Sequence, residues 1–175
     1  NLPLYNDGNP TIRAYSDLSY DGTTFTINNG TIKTKFNELN TSSIDTTAPS
    51  SGSAVGEIVK MGNTPTTPGA LYFFSSSATW FSASATHESH STGMLGVAVG
   101  SNSSTDGMLL NGFIHPTGSS EMGTLTGSIL YVSDTYGEFT GSAPGLSGEV
   151  ARIVGYRIEP NMVYFKPDSS YIVLA

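Results

Sequence analysis

Cysteine is absent from this chain. Disulfides, thiolate nucleophiles and cysteine-based zinc sites are excluded together, and stability has to come from a β core or from association of copies. Charge is the second scarcity. Asp, Glu, Lys and Arg make up 12% of the residues, about half the roughly 25% of an ordinary soluble domain. Seven basic residues stand against fourteen acidic ones, for a net charge of −7. So few cations cannot build the phosphate-tracking stripe that nucleic-acid binding needs, and they disfavour an anionic membrane surface for the same reason. No stretch approaches the roughly 18 apolar residues of a membrane span, so membrane insertion is not expected either. The chain begins at Asn1 with neither a Met nor a charged-then-apolar leader, which reads as a fragment or a processed chain. Helical periodicity is the third scarcity. The best candidate, Thr34–Leu39, is worth about one and a half turns.

What is present points to strands. Hydrophobic residues make up 37% and aromatics 10%, enough for a packed core and too much for a disordered chain. Ser, Thr, Asn and Gly carry the surface, a composition suited to meeting glycans or packing into assemblies. Short β-rich runs alternate with Gly, Pro, Asn and Asp clusters throughout. The fold class expected is all-β.

The first 47 residues differ from the rest. Tyr5–Ile12 and Tyr20–Ile27 each join a Tyr and an Asp-Gly turn to a Thr/Ile strand, and the two tyrosines are 15 residues apart. Asn29-Gly30, between Phe25–Ile27 and Thr31-Ile32, favours a type I′ hairpin because both residues accept positive φ. Large apolar residues are too few here to bury alone, so residues 1–47 read as a shaft-like β-repeat segment stabilised by several chains. A polar run over 40–55 follows, with 48–55 as the linker proper. Residues 56–175 then form a compact head.

Inside the head lies a near-repeat. Leu71-Tyr72 and Leu130-Tyr131 are offset by 59 residues, as are Gly96 and Gly155, while Phe81 and Phe139 fall one residue out of step. The repeating unit is a strand, a turn, a short strand with an aromatic, a loop, and an apolar strand broken by Gly. Gly at such a place predicts a bulge or bend. Further strands are expected at 57–61, 108–114, 162–165 and 171–174, the last two separated by a turn over Lys166–Ser170. About eight strands with regular turns predict a small antiparallel β-barrel or sandwich.

Chemistry-bearing residues are sparse. His87-Glu88-Ser89-His90 is a His-x-x-His pair in a polar loop, one residue short of the helical zinc spacing, so His87 and His90 are only weak metal candidates. No Gly-x-Ser-x-Gly elbow is present. Glu88, Asp106, Glu121, Asp134 and Glu138 could supply paired carboxylates for glycan hydrolysis, but their spacing places no two of them together. Gly93-Met94-Leu95-Gly96 lacks the Lys-Ser/Thr of a phosphate loop and reads as strand. No catalytic residue and no cofactor are expected. Trp80, Phe81 and Tyr136 are the candidate glycan- or receptor-contacting residues, since aromatic faces pair with the apolar faces of sugars; burial of Trp80-Phe81 in the core is the competing reading. The long polar loops 84–92, 100–107 and 115–124 are where recognition is expected to sit.

Gly127–Ser133, Gly137–Thr140, Gly148–Tyr156 and Val163–Asp168, with Tyr15–Thr26 ahead of them, resemble the carboxy-terminal domain of tail-fibre or virion structural proteins of marine tailed phages, cyanophages especially. The pattern is also similar to small β-barrel head-decoration and capsid-fibre proteins. The motifs are structural ones, Gly turns and apolar strands, and together they cover most of the chain. The resemblance implies a homotrimeric virion appendage, not an enzyme, with other virion proteins and a host-surface glycan as partners. A tail-fibre or appendage tip is the first expectation. A capsid decoration protein, and a carbohydrate-binding module or glycan depolymerase, are the alternatives.

Overall fold

The computed structural model describes residues 18–20, 25–27, 41–49 and 53–175. The chain divides into two units, Asn1–Asn37 and Glu38–Ala175. In the first, β1 (Leu18–Tyr20) pairs antiparallel with β2 (Phe25–Ile27), Tyr20 opposite Phe25. The Asn29-Gly30 hairpin, the Asp-Gly turns and the short helix expected at Thr34–Leu39 lie outside the described residues.

In the second unit the strands are β3 (Ala54–Val59), β4 (Leu71–Phe74), β5 (Trp80–Ser82), β6 (Leu95–Ala98), β7 (Met108–Ile114), β8 (Ile129–Val132) and β9 (Phe139–Thr140), followed by β10 (Val150–Ala151), β11 (Ile153–Glu159), β12 (Met162–Phe165) and β13 (Ile172–Val173). Nine of them form one curled antiparallel half-barrel sheet in the order β5-β4-β6-β7-β12-β11-β8-β9, with β3 also on β7. The chain is all-β, and the short connections of the β4–β5, β8–β9 and β11–β12 hairpins account for those antiparallel pairs.

The near-repeat emerges as topology. The strand order reads the same from both ends once β5 is equated with β9, β4 with β8, β6 with β11 and β7 with β12. Register agrees. Tyr72 lies opposite Ser82 and Phe73 opposite Phe81 in one half; Tyr131 lies opposite Thr140 and Val132 opposite Phe139 in the other. The one-residue slip between the two copies is therefore what keeps the hairpins in matching register.

The two halves are joined through β7. Along one edge, β3 pairs with β7 from Met108 to Ile114; Met108 and Leu109 also pair with β6, and Gly112–Ile114 with β12. A strand has only two edges, so β6 and β12 share the second one and the two half-sheets splay apart from it. The inner face between them holds the main core, including Leu71, Leu95, Leu130, Phe139, Val163 and Phe165.

Several expectations need correcting. β3 starts at Ala54, inside the stretch expected to be linker, and ends before Lys60 and Met61, because it follows β7 along its whole length. Gly155 marks a break in register between β11 and β8, as expected. Gly96 sits in regular pairing instead; its missing side chain makes room for Trp80, whose ring would lie 3.0 Å from a Cβ there. β13 pairs with β10 and not with its neighbour β12. Residues 41–49 lie against the head: Ile44 is buried, His115 Nδ1 donates to the Asp45 carbonyl at 2.8 Å, and Asn161 Nδ2 donates to the Thr46 carbonyl at 2.8 Å.

Candidate functional site: an aromatic hollow between the two halves

The register of the β4–β5 hairpin sets Phe73 directly opposite Phe81. Opposite residues share a face, and the two rings stack with centroids 5.9 Å apart at 28°. The β5–β6 connection then folds into a 3-10 turn, Glu88–His90, that lays the His90 imidazole on Phe73 at 5.1 Å and 16°. His87 meets His90 edge-on at 4.9 Å. Tyr136, on the β8–β9 turn, closes the far side 6.0 Å from His90. Phe73, Phe81, Ser82, His90 and Tyr136 line a surface hollow of about 300 Å³. Phe81 is 51% exposed and Tyr136 55%.

Both halves contribute and are bonded to each other here. The Gly137 carbonyl accepts from Leu71 N, and Gly137 N donates to the Ala83 carbonyl, each at 2.8 Å. The histidine-bearing loop is held from beneath by buried Arg152. Its Nη1 donates to the Ser91 and Gly93 carbonyls and its Nε to the Asp168 carbonyl, all at 2.7 Å. Burial pulls the Arg152 guanidinium below its usual pKa, opposed by the charge of Asp168, yet an arginine stays charged in any protein. The Arg152 hydrogen bonds all go to backbone carbonyl oxygens, which ties this end of the loop to the sheet.

Trp80 is not part of the hollow. It is 1% exposed, and its Nε1 donates to the Met61 carbonyl at 3.1 Å. Successive strand residues point to opposite faces, so Trp80 goes into a second core with Tyr72, Ala98 and Met108 while Phe81 faces the hollow. The structure thus joins Phe81 and Tyr136 and separates Trp80 from both. Phe73 and Ser82 were missed by sequence reasoning, although strand alternation and hairpin register together would have found Phe73. His87 and His90 are neighbours, but among the described residues no third His, Asp or Glu completes a metal-binding group with them. His90 Nδ1 is buried without a hydrogen-bond partner, so the ring is packed as an aromatic.

The candidate carboxylates lie elsewhere. Glu121 Oε2 and Asp134 Oδ1 both accept from the Ser133 hydroxyl, at 2.7 and 3.3 Å. Glu88 Oε1 accepts from Tyr171 Oη at 3.4 Å, and the Glu138 carboxyl lies against Gly118. Asp106 clamps its own loop, accepting from Asn102 N at 3.0 Å and from the Ser101 hydroxyl. Of the three loops expected to carry recognition, only 84–92 reaches the hollow.

The Asn102 backbone hydrogen bond holds the Asp106 carboxyl below the usual carboxylate range. A depressed pKa contributes stability that is complete above the unfolded-state value and is lost as pH falls through the folded one. Amide protection factors in residues 101–106 should therefore fall selectively in acid, and Asp106→Asn should remove that pH dependence. Equal acid sensitivity in the variant would disprove the clamp.

What the hollow offers is two half-exposed aromatic rings, the Tyr136 hydroxyl and an imidazole, with Ser82 in its wall and no carboxylate in its lining. Such a set can stack on an apolar ring face and hydrogen-bond its substituents. No protein-family model, curated protein or solved structure matches the chain.

Proposed function

We propose that this chain is the non-enzymatic attachment head of a virion appendage, working as a homotrimer, and that the aromatic hollow takes one sugar unit of a host-surface glycan. The observation carrying the binding reading is the pair of half-exposed rings, Phe81 and Tyr136, on either side of a hollow of about 300 Å³. Large rings left open to water around a concavity are an unfavourable way to end a core unless a ligand covers them. Uncharged lining favours a neutral sugar whose apolar face stacks on Phe81 while Tyr136 reaches its hydroxyls. The virion reading is supported by the resemblance of the Gly-turn and apolar-strand motifs, the low charge and the lack of cysteine. A decoration protein with a purely structural role has no need of such a hollow, which favours the attachment tip.

A glycan array followed by calorimetric titration tests this. Phe81→Ala and Tyr136→Ala should each weaken binding about tenfold or more, about 1.4 kcal/mol, with little change in melting temperature because both rings are half-exposed. Array-wide silence of the native chain, or binding untouched by both variants, would sink the proposal. Release of shortened glycan products would overturn its non-enzymatic part.

A further inference from the structure

The outer face of the second half carries an apolar row that the fold leaves open. Val55 of β3, Phe113 of β7, Tyr164 of β12, Tyr156 of β11 and Ile129 of β8 lie directly opposite one another across five neighbouring strands. Such residues share one face, so the row runs about 19 Å at the usual strand spacing. Ile129 is 39% exposed and Tyr156 40%, with the other three half-buried. The duplicated half shows what covering looks like. Tyr72 is buried in the cluster around Trp80, with Met61 and Val59 packed against it; its counterpart Tyr131 is only half-buried.

Ring orientation narrows the occupant. Phe113 and Tyr164 stand with centroids 4.8 Å apart at 31°, so they face each other and turn their rims outward. Rings packed side by side along a flat row of strands suit another layer of protein side chains, as when sheets pack on sheets. Charge narrows it further. Glu57 lies two residues beyond Val55 on β3, opposite exposed Asn111, and Lys166 immediately follows β12, its N–H donating to the Val154 carbonyl; both are exposed. One face thus carries a negative group toward its β3 side and a positive group toward its β12 side. A rotated second copy brings each Glu57 against the neighbouring copy's Lys166. With a net charge of −7, copies repel in general, and an uncharged row bordered on one side by a pair of opposite charges is where they can meet.

We propose that this face joins copies of the chain, with Val55, Phe113, Tyr164, Tyr156 and Ile129 at its centre and Glu57 paired to Lys166 between copies. The inference rests on the appendage reading only in that copies associate; the sugar hollow plays no part in it.

Sedimentation velocity on the full chain at micromolar concentration tests the face. The native chain should sediment as an assembly. Tyr156→Glu and, as a second variant, Ile129→Lys should sediment as monomers while keeping the native circular dichroism spectrum. Glu57→Lys and Lys166→Glu should each weaken assembly about tenfold at low salt, and the double exchange should restore it. An assembly unaffected by Tyr156→Glu and Ile129→Lys overturns this face and leaves the appendage reading standing. A monomeric native chain overturns both the face and the homotrimer, while glycan binding at the hollow is measured separately.

Discussion

Trp80→Ala should destabilise the head by about 3–5 kcal/mol and lower its melting temperature by roughly 10 °C. The side chain is 1% exposed, and its ring lies over Gly96 and tilts against Phe74 at 4.9 Å. Truncation leaves a large cavity in the second core. It also removes the hydrogen bond that the Met61 carbonyl accepts from Nε1 at 3.1 Å, which adds to the loss. Trp80→Phe refills part of the cavity but not the hydrogen bond, so it should fall between. Because this is the sole tryptophan, native fluorescence reports its environment directly: emission should be blue-shifted and move red on unfolding. Thermal melts by circular dichroism measure the loss. Phe81→Ala, one residue along on the opposite face, should cost far less. Equal losses at positions 80 and 81 would mean that the two faces have been assigned wrongly.

The second large effect is expected where β3 crosses β7. Gly56 and Gly112 lie opposite each other with φ of +150° and +143°, and a Cβ on Gly112 would lie 2.1 Å from the Val55 carbonyl oxygen. No rotamer relieves that overlap, because the obstacle is backbone, and the φ itself disfavours any side chain. Gly112→Ala must push the ribbon apart where β7 holds β3 and β12 together. A loss of about 3 kcal/mol or more is expected, and Gly56→Ala with Gly112→Ala should not fold. Gly145→Ala supplies the contrast: nothing lies within 4 Å of its Cβ position, so its effect should stay within about 0.5 kcal/mol. Urea denaturation of the single variants decides the matter. A Gly112→Ala chain as stable as Gly145→Ala would show that the β3–β7 ladder accommodates a side chain at this position.

Strand-forming chemistry was legible in the sequence where it is local. Met108–Ile114, Phe139-Thr140 and Met162–Phe165 are strands where the apolar runs and turns placed them. The duplication was legible too, down to the one-residue slip, since it resides in residue types at fixed offsets. What was not legible depends on partners distant in sequence. Whether Trp80 or Phe81 faces water is decided by which face β4 buries, and nothing within residues 79–82 records that choice. Tyr136 joins Phe81 only because the second half bonds to the first through Gly137. The His87/His90 spacing looked like a failed metal site. A 3-10 turn brings residues three apart onto one side, so the same spacing serves ring packing against Phe73.

The composite make-up of the hollow has a consequence for how the protein matures. Phe81 and His90 come from the earlier strand quartet and Tyr136 from the later one, locked together by the two Gly137 hydrogen bonds. Neither quartet can form the cleft in isolation. A ligand there binds only the fully closed chain, so by mass action it stabilises the whole sheet against unfolding. On the proposed attachment role, binding at the hollow is withheld from incompletely folded molecules, and ligand affinity becomes a readout of completed folding.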